Sequence, residues 1–385
     1  MKRKPMSGES PMTRTPLSIL DLSPVPAGGT ARDAVRNSVE LAQKAEAAGF
    51  HRYWLAEHHI ATGVASSATA VLIGQVAAAT SRIRVGAGAI QLGHHTALSV
   101  AEEFGTLAAF YPGRIDLGLG RSGHRKPPPP GVKIPEPPKQ EPKVIDGLLV
   151  PGPFPIGRAA RSGKLALENS LLHLPGSTPV DYADSVHDIL AFLAGTYKSG
   201  DCVQAHAVPG EGADVQPWIL GSSGGESAIL AGKLGLPFAA AYHVAPAGVL
   251  AAIDAYRSAF RPSQWLSEPY VVVSADVVVA RETDAKAAEL AAPYGLWVLA
   301  IRSGKGARSY PSAAEAAAYN WTDEDRELVT DRVDTQLVGS PATVAAKLAV
   351  VRAATGADEL LITTITYDHA DRVRSHQLIA EEWLG

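Results

Sequence analysis

The residues RYWLAEHH, Arg52 to His59, decide the fold. Tyr53, Trp54 and Leu55 are aromatic or aliphatic and suit a covered, pleated ribbon. The character then changes abruptly to Glu57-His58-His59. Apolar strands that run out into ionisable residues are what an α/β barrel shows at the C-terminal rim of its sheet, where its active sites sit.

Outward from this stretch the same alternation recurs. Upstream, LSILDLS (Leu17 to Ser23) reads as a first strand. A helix follows it to Ala48, with Thr30 as N-cap, Asp33 three residues on, and Gly49 at the position of a C′ glycine. Downstream come an alanine-rich helix from Ser67 to Thr80, a third strand from Arg84 to Leu92, a helix from Ala97 to Phe110 and a fourth strand from Arg114 to Gly123. Further strands are read from Asp214, in PFAAAYHV, at Tyr270 to Ala280 and at Glu359 to Tyr367. Eight strands alternating with helices predict a closed (β/α)8 TIM barrel in the α/β class rather than an open doubly wound sheet.

Two segments break the pattern. Lys126 to Pro155 holds eleven prolines, which neither a helix nor a central strand tolerates. The irregular insertion is taken as 123–180, following strand four. It lacks the periodicity and apolar content for a core of its own, so it reads as a mobile part of one domain spanning 16–385. A second irregular excursion covers Ser303 to Arg332. Residues 1–15 are basic with no apolar run behind them and read as a disordered tail, not a signal peptide.

Composition narrows the function. With 46% hydrophobic residues and a net charge of −4, the chain can bury one large core and has no electrostatic case for nucleic acid. A single cysteine, Cys202, excludes an intramolecular disulfide framework and fits a reducing, cytoplasmic setting. No apolar run reaches the 18 or more residues of a membrane span.

Several constellations carry possible chemistry. Ser222-Ser223-Gly224-Gly225 lies between a strand and a helix, so its N–H groups suit either an anion site or a plain turn with a serine cap. Gly86-Ala87-Gly88 makes a thin strand that admits close approach, by a ligand or by packing. His58 has a free pKa near neutrality and is a candidate for proton transfer. Strand parity sends His58 and His59 to opposite faces, and no third ligand is spaced for a metal, so none is expected. His94-His95, Glu102, Tyr242 and His243 complete the rim candidates; structural roles fit them equally well.

Four blocks in this order, YWLAEHH, VGAGAIQLGHHTALSVAEE, GRIDLGLGRSG and WILGSSGGESAILAGKLGLPFA, resemble the bacterial luciferase-like flavin-dependent monooxygenases, and most nearly their MsnO-type group. The resemblance implies FMN as cofactor. It places the phosphate at Ser222, Ser223, Gly224 and Gly225 with Arg121 as the charged partner. It implies a cis peptide at Gly88-Ala89 beneath the flavin ring and His58 beside the ring as the catalytic residue; by their place on the rim, Glu57 and Tyr242 are further candidates for flavin contact, with structural roles as the alternative. The family often has an aromatic residue where Gly225 stands. No nicotinamide fingerprint is read, so reduced FMN is expected from a separate flavin reductase, with O2 and a small organic molecule as substrates. The same barrel also suits hydride transfer with an 8-hydroxy-5-deazaflavin cofactor, or flavin binding without turnover. The second helix lacks a polar face, which predicts a homodimer.

Overall fold

The computed structural model describes residues 15–122, 140–154, 164–173, 176–177 and 180–385. Eight parallel strands form the barrel: β1 Leu17–Asp21, β2 Arg52–Leu55, β3 Arg84–Ala87, β4 Ile115–Gly120, β5 Val215–Gly221, β6 Phe238–Ala241, β7 Val271–Val279 and β8 Glu359–Thr363. Each pairs with the next, and β8 pairs with β1, so the sheet closes. The register aligns one outward set: Ile19 with Tyr53, Tyr53 with Val85, Val85 with Ile115, and Ile115 with Val215. These residues pack with the surrounding helices into one large apolar cluster. The principal helices after successive strands are α1 Ala31–Ala48, α2 Thr69–Ala79, α3 Ala97–Phe110, α4 Tyr182–Leu193, α5 Glu226–Leu234, α6 Val249–Ala259, α7 Pro341–Thr355 and α8 His369–Leu384.

Local chemistry sets the helix ends. The Thr30 side chain accepts the Asp33 N–H, and Gly49 ends α1 at φ 88°, a conformation that costs a side-chain-bearing residue more than glycine. Thr96 and Asp181 cap α3 and α4 in the same way. Strand β2 is shorter than expected: it stops at Leu55, and Ala56 to His59 continue as non-strand chain beyond the sheet.

Inside the barrel the inward positions form layers. At the bottom, Arg52 lies between Asp116 (2.9 Å) and Glu359 (3.1 Å), and Arg84 also reaches Asp116 (2.6 Å). Charge paired this completely at the N-terminal face reads as stability, not catalysis. Above it, Trp54 and Trp218 pack edge to face with ring centroids 5.0 Å apart. They join Leu20, Ala239, Val272 and Leu361 in a second, inner cluster. At Gly88 a side chain would strike Leu20 and Trp54, so packing accounts for this glycine. Gly118 is pinned by the Ala87 carbonyl oxygen in the same manner.

The insertion departs from the expected irregularity. Lys143–Ile145 and Leu148–Val150 form an antiparallel hairpin, and Lys164–Leu172 is a helix. Asp146-Gly147 turns the hairpin, both with positive φ, as a two-residue Asp-Gly turn does. Leu148 is buried in the outer core, Leu149 accepts a hydrogen bond from the Tyr242 hydroxyl (2.8 Å), and Phe154 stacks on the Arg302 guanidinium at 3.6 Å. The four-proline run 127–130 and the tail 1–14 lie outside the described residues. The second excursion is also ordered, with helices at Ala313–Ala318 and Asp323–Asp334 behind a helix at Pro293–Arg302. Its Tyr310 and Val329, with Tyr294, Trp297 and Val298 of the preceding helix, pack into the inner cluster, so the two together cover part of the barrel's interior.

Candidate active site

The site is built at the C-terminal rim, around Glu57. Its carboxylate is 3% exposed and accepts bonds from His59 (2.8 Å), His95 (2.8 Å) and the Gln91 N–H (3.0 Å). Burial by itself would raise its pKa; the bonds from His59 and His95 and the Gln91 N–H overcome this and hold it down to about 2. Burial works against the charge on His95 too, but contact with Glu57 leaves its pKa raised. His94 and His95 are thus not simply solvated: His94 Nδ1 is 3.3 Å from His173. Burial, with His173 and His59 nearby, pushes His94 down to about 4. Glu103, not Glu102, bears electrostatically on His95, and Glu102 has no side-chain partner among the described residues.

His58 differs from its neighbours. Its Nδ1 is enclosed and has no hydrogen-bond partner among the described residues. Burial, only partly offset by Glu57, pushes its pKa down to about 4. It is therefore a neutral imidazole at ordinary pH, not the near-neutral titrating group expected from its free value. His59 is turned aside to Glu57. The peptide bond Gly88-Ala89 is cis.

Arg121, at the end of β4, lies 2.8 Å from Glu226, the first residue of α5. This contact brings the guanidinium beside the turn Ser222-Ser223-Gly224-Gly225. Among the described residues the N–H groups of that turn have no backbone acceptor. The Tyr182 side chain at the start of α4 joins them: its hydroxyl donates to Leu119 O (3.3 Å), and both Ser227 and Arg121 influence it. Tyr182, Ser227 and Glu226 escaped the sequence reading, because each looks like an ordinary first-turn helix residue.

Two expectations need correction. Tyr242 does not face the barrel mouth: it is 2% exposed, packs in the outer cluster and donates to Leu149 O. Phe238 and Ala240 of β6 face the helices, and Tyr242, in the turn after the strand, packs with them. Contrary to the expectation of no nicotinamide pattern, Gly118, Gly120 and Gly123 do have G-x-G-x-x-G spacing. The first two lie within β4 as barrel wall and do not open a helix, so the spacing lacks the strand-turn-helix context that a dinucleotide site needs.

A cavity of about 530 Å³ opens on the same rim beside Ile60, Thr62 and Arg308. Among the described residues no group of His, Cys, Asp or Glu is placed to hold a metal ion, and no helix is long and apolar enough to cross a membrane.

Comparison with known proteins places this rim in context. The family model for luciferase-like monooxygenases matches residues 15–139 and 184–359. The chain belongs to the luciferase-like monooxygenase family. A Bacillus subtilis relative, the uncharacterized protein YvbT, is 40% identical over 96% of this chain and 97% of its own. An Escherichia coli luciferase-like monooxygenase is 35% identical over 96% and 98%. Among solved structures, apo-MsnO8 is 31% identical with a TM-score of 0.75, covering 96% and 98%. More distant barrels share the fold alone. They include the oxygenating constituent of 3,6-diketocamphane monooxygenase from Pseudomonas putida in complex with FMN (19% identity, 96% and 98% covered, TM-score 0.64). Another is an F420-dependent secondary alcohol dehydrogenase (14% identity, 96% and 99% covered, TM-score 0.60).

Proposed function

We propose that this monooxygenase uses reduced FMN and O2 to oxidise a small organic molecule at the barrel mouth. The observation that carries the reading is the convergence of Arg121 with the unaccepted N–H groups of Ser222 to Gly225 at the start of α5. N–H donors at a helix N-terminus with a guanidinium beside them suit a phosphate dianion. The orphaned Nδ1 of His58 suits a polar group of the bound ring or substrate. Reduced flavin supplies the electrons that activate O2. The chain's part is to hold the phosphate at one edge, keep His58 neutral as a proton acceptor, and exclude water with the Trp54–Trp218 floor and the second excursion. With the glycine spacing inside the barrel wall, reduced flavin is taken to come from a separate reductase. The deazaflavin alternative places a hydride-transfer cofactor on the same rim.

The test is a fluorescence titration of wild type and Arg121→Ala with FMN and with riboflavin. A charge-assisted contact is worth about 1.5–3 kcal/mol, roughly tenfold or more in affinity. FMN binding should weaken by that factor while riboflavin binding stays unchanged. Equal affinity of the variant for FMN removes Arg121 from the site. Oxygen uptake with photoreduced FMN and product formation separates monooxygenation from deazaflavin reduction and from binding without turnover.

A further inference from the structure

We propose that Glu226 is an internal stand-in for the flavin phosphate, and that its charge keeps FMN exchangeable rather than resident. The inference rests on the flavin reading above and concerns how tightly that site holds its cofactor. The Glu226 carboxylate lies 2.8 Å from the Arg121 guanidinium. Among the described residues Arg121 has no acceptor other than Glu226. Glu226 is the first residue of α5, directly after the turn Ser222 to Gly225, and Gly225 offers no side chain to cap the helix. One carboxylate therefore already stands at the helix N-terminus and on the guanidinium, the two features that suit a phosphate. Tyr182 marks the same point from α4. Burial raises its pKa, Ser227 and Arg121 work against this, and Glu226 adds to it, so the phenol lies within the field of both charges.

Two anions cannot share this corner without cost. A phosphate dianion on Arg121 and the turn must either displace the carboxylate or lie beside it, and like charges at such range repel. The Glu226 side chain is 42% exposed and that of Arg121 34%, so the carboxylate can turn into water as the phosphate arrives. The complex then forfeits the Arg121–Glu226 ion pair and keeps part of the repulsion. The charge that holds Arg121 in place before flavin binds is thus the charge that weakens binding. Modest affinity suits a cofactor that arrives reduced from another protein and leaves after turnover, because affinity differences of this kind fall mostly on the rate of departure.

The experiment is fluorescence titration of the full-length protein with FMN and with riboflavin, comparing wild type, Glu226→Gln and Glu226→Asp, with FMN release followed by stopped-flow displacement. Gln keeps an acceptor for Arg121 and loses the charge; Asp keeps the charge. The FMN Kd of Glu226→Gln should fall about three- to tenfold, mostly through slower release, as removal of one partly screened charge beside a dianion requires. Riboflavin affinity should not change, and Glu226→Asp should stay within about twofold of wild type for FMN. The gain should fade as salt rises from about 0.01 M to about 1 M, where the Debye length shrinks from about 30 Å to about 3 Å. FMN binding by Glu226→Gln that is equal to or weaker than wild type overturns the inference, and makes Glu226 only a support for Arg121. So does a gain shared by riboflavin or one that survives high salt. In each of these cases a loss of FMN affinity in Arg121→Ala leaves the flavin reading standing. Failure of wild type to bind FMN overturns both.

Discussion

Glu57 is almost fully enclosed, and a buried carboxylate stays ionised only when its lone pairs are filled. His59, His95 and Gln91 fill them. Glu57→Gln removes the charge that raises the His95 pKa. The His95 pKa should fall, as followed by NMR titration, and stability should drop by about 1–3 kcal/mol; an unmoved His95 pKa would show that Glu103 is its effective partner. His58 stands outside this web. His58→Ala should keep FMN affinity within a few fold, lower product yield per reduced flavin, and release the lost oxidising equivalents as hydrogen peroxide. Stopped-flow oxidation with peroxide quantified afterwards reads this, against a general acid–base effect of about 10²–10⁴-fold. If coupling is unchanged, His58 is a rim residue only. Glu57-His58-His59 was legible as a rim because its polarity follows an apolar strand. Which imidazole stays free was not, because Glu57 draws one partner from its own segment and the other from beyond β3.

At the scale of elements, the barrel strands were legible from their apolar runs, and the caps of α1 from Thr30 and Gly49. The insertion was not. Its prolines correctly exclude a helix or central strand, but Asp146-Gly147 between KVI and LLV is a hairpin signal they obscured. That hairpin docks through Leu148 and Val150 against the core and Tyr242 on Leu149, with Phe154 just beyond it on Arg302. Arg302 is itself held by Asp331 through bonds of 2.7 and 2.8 Å, so it offers a fixed cation for the ring. A cation–π contact of this kind is worth about 0.5–2 kcal/mol. Phe154→Ala should therefore speed limited proteolysis within the insertion severalfold and leave the barrel's Tm nearly unchanged. Unchanged cleavage would mean that Leu148, Val150 and Tyr242 hold the hairpin without Phe154.

Two properties belong to the whole molecule, and the first is acid stability. His58, His94 and His376 have pKa values pushed down to about 4 and His243 to about 3, chiefly by burial. An unfolded histidine binds its proton near pH 6.5. Between that value and the folded value the unfolded chain holds more protons, so stability falls as pH falls through this window. His95 has the opposite sign and adds stability that is lost as pH rises through its raised folded value. His51 and His369 are lowered as well, so among the histidines six shifts oppose one, and the Tm should decline from about pH 6.5 toward pH 4, measured by calorimetry in buffers of constant ionic strength. A flat profile would show that these imidazoles open to water before the fold does.

The second property is assembly. The sequence suggested that α2 is apolar all round, but most of that surface is covered by the chain itself. Leu72, Ile73, Val76 and Ala77 are buried, which leaves a stripe of Val71, Gln75 and Ala78 outside. Val71 is 68% exposed, and Phe110 at the end of the neighbouring α3 is 74% exposed. We propose that this face joins two copies about a twofold axis, the commonest closed arrangement for an oligomer. A self-complementary face places each Val71 and Phe110 in the same contact twice, so one charged substitution is felt twice. Val71→Glu or Phe110→Glu should shift a wild-type dimer toward monomer in sedimentation at micromolar concentration, with FMN binding retained because the proposed phosphate site lies at the ends of β4 and β5 and the start of α5. A wild-type monomer at that concentration would leave Val71 and Phe110 as isolated exposed residues, which are common on soluble proteins.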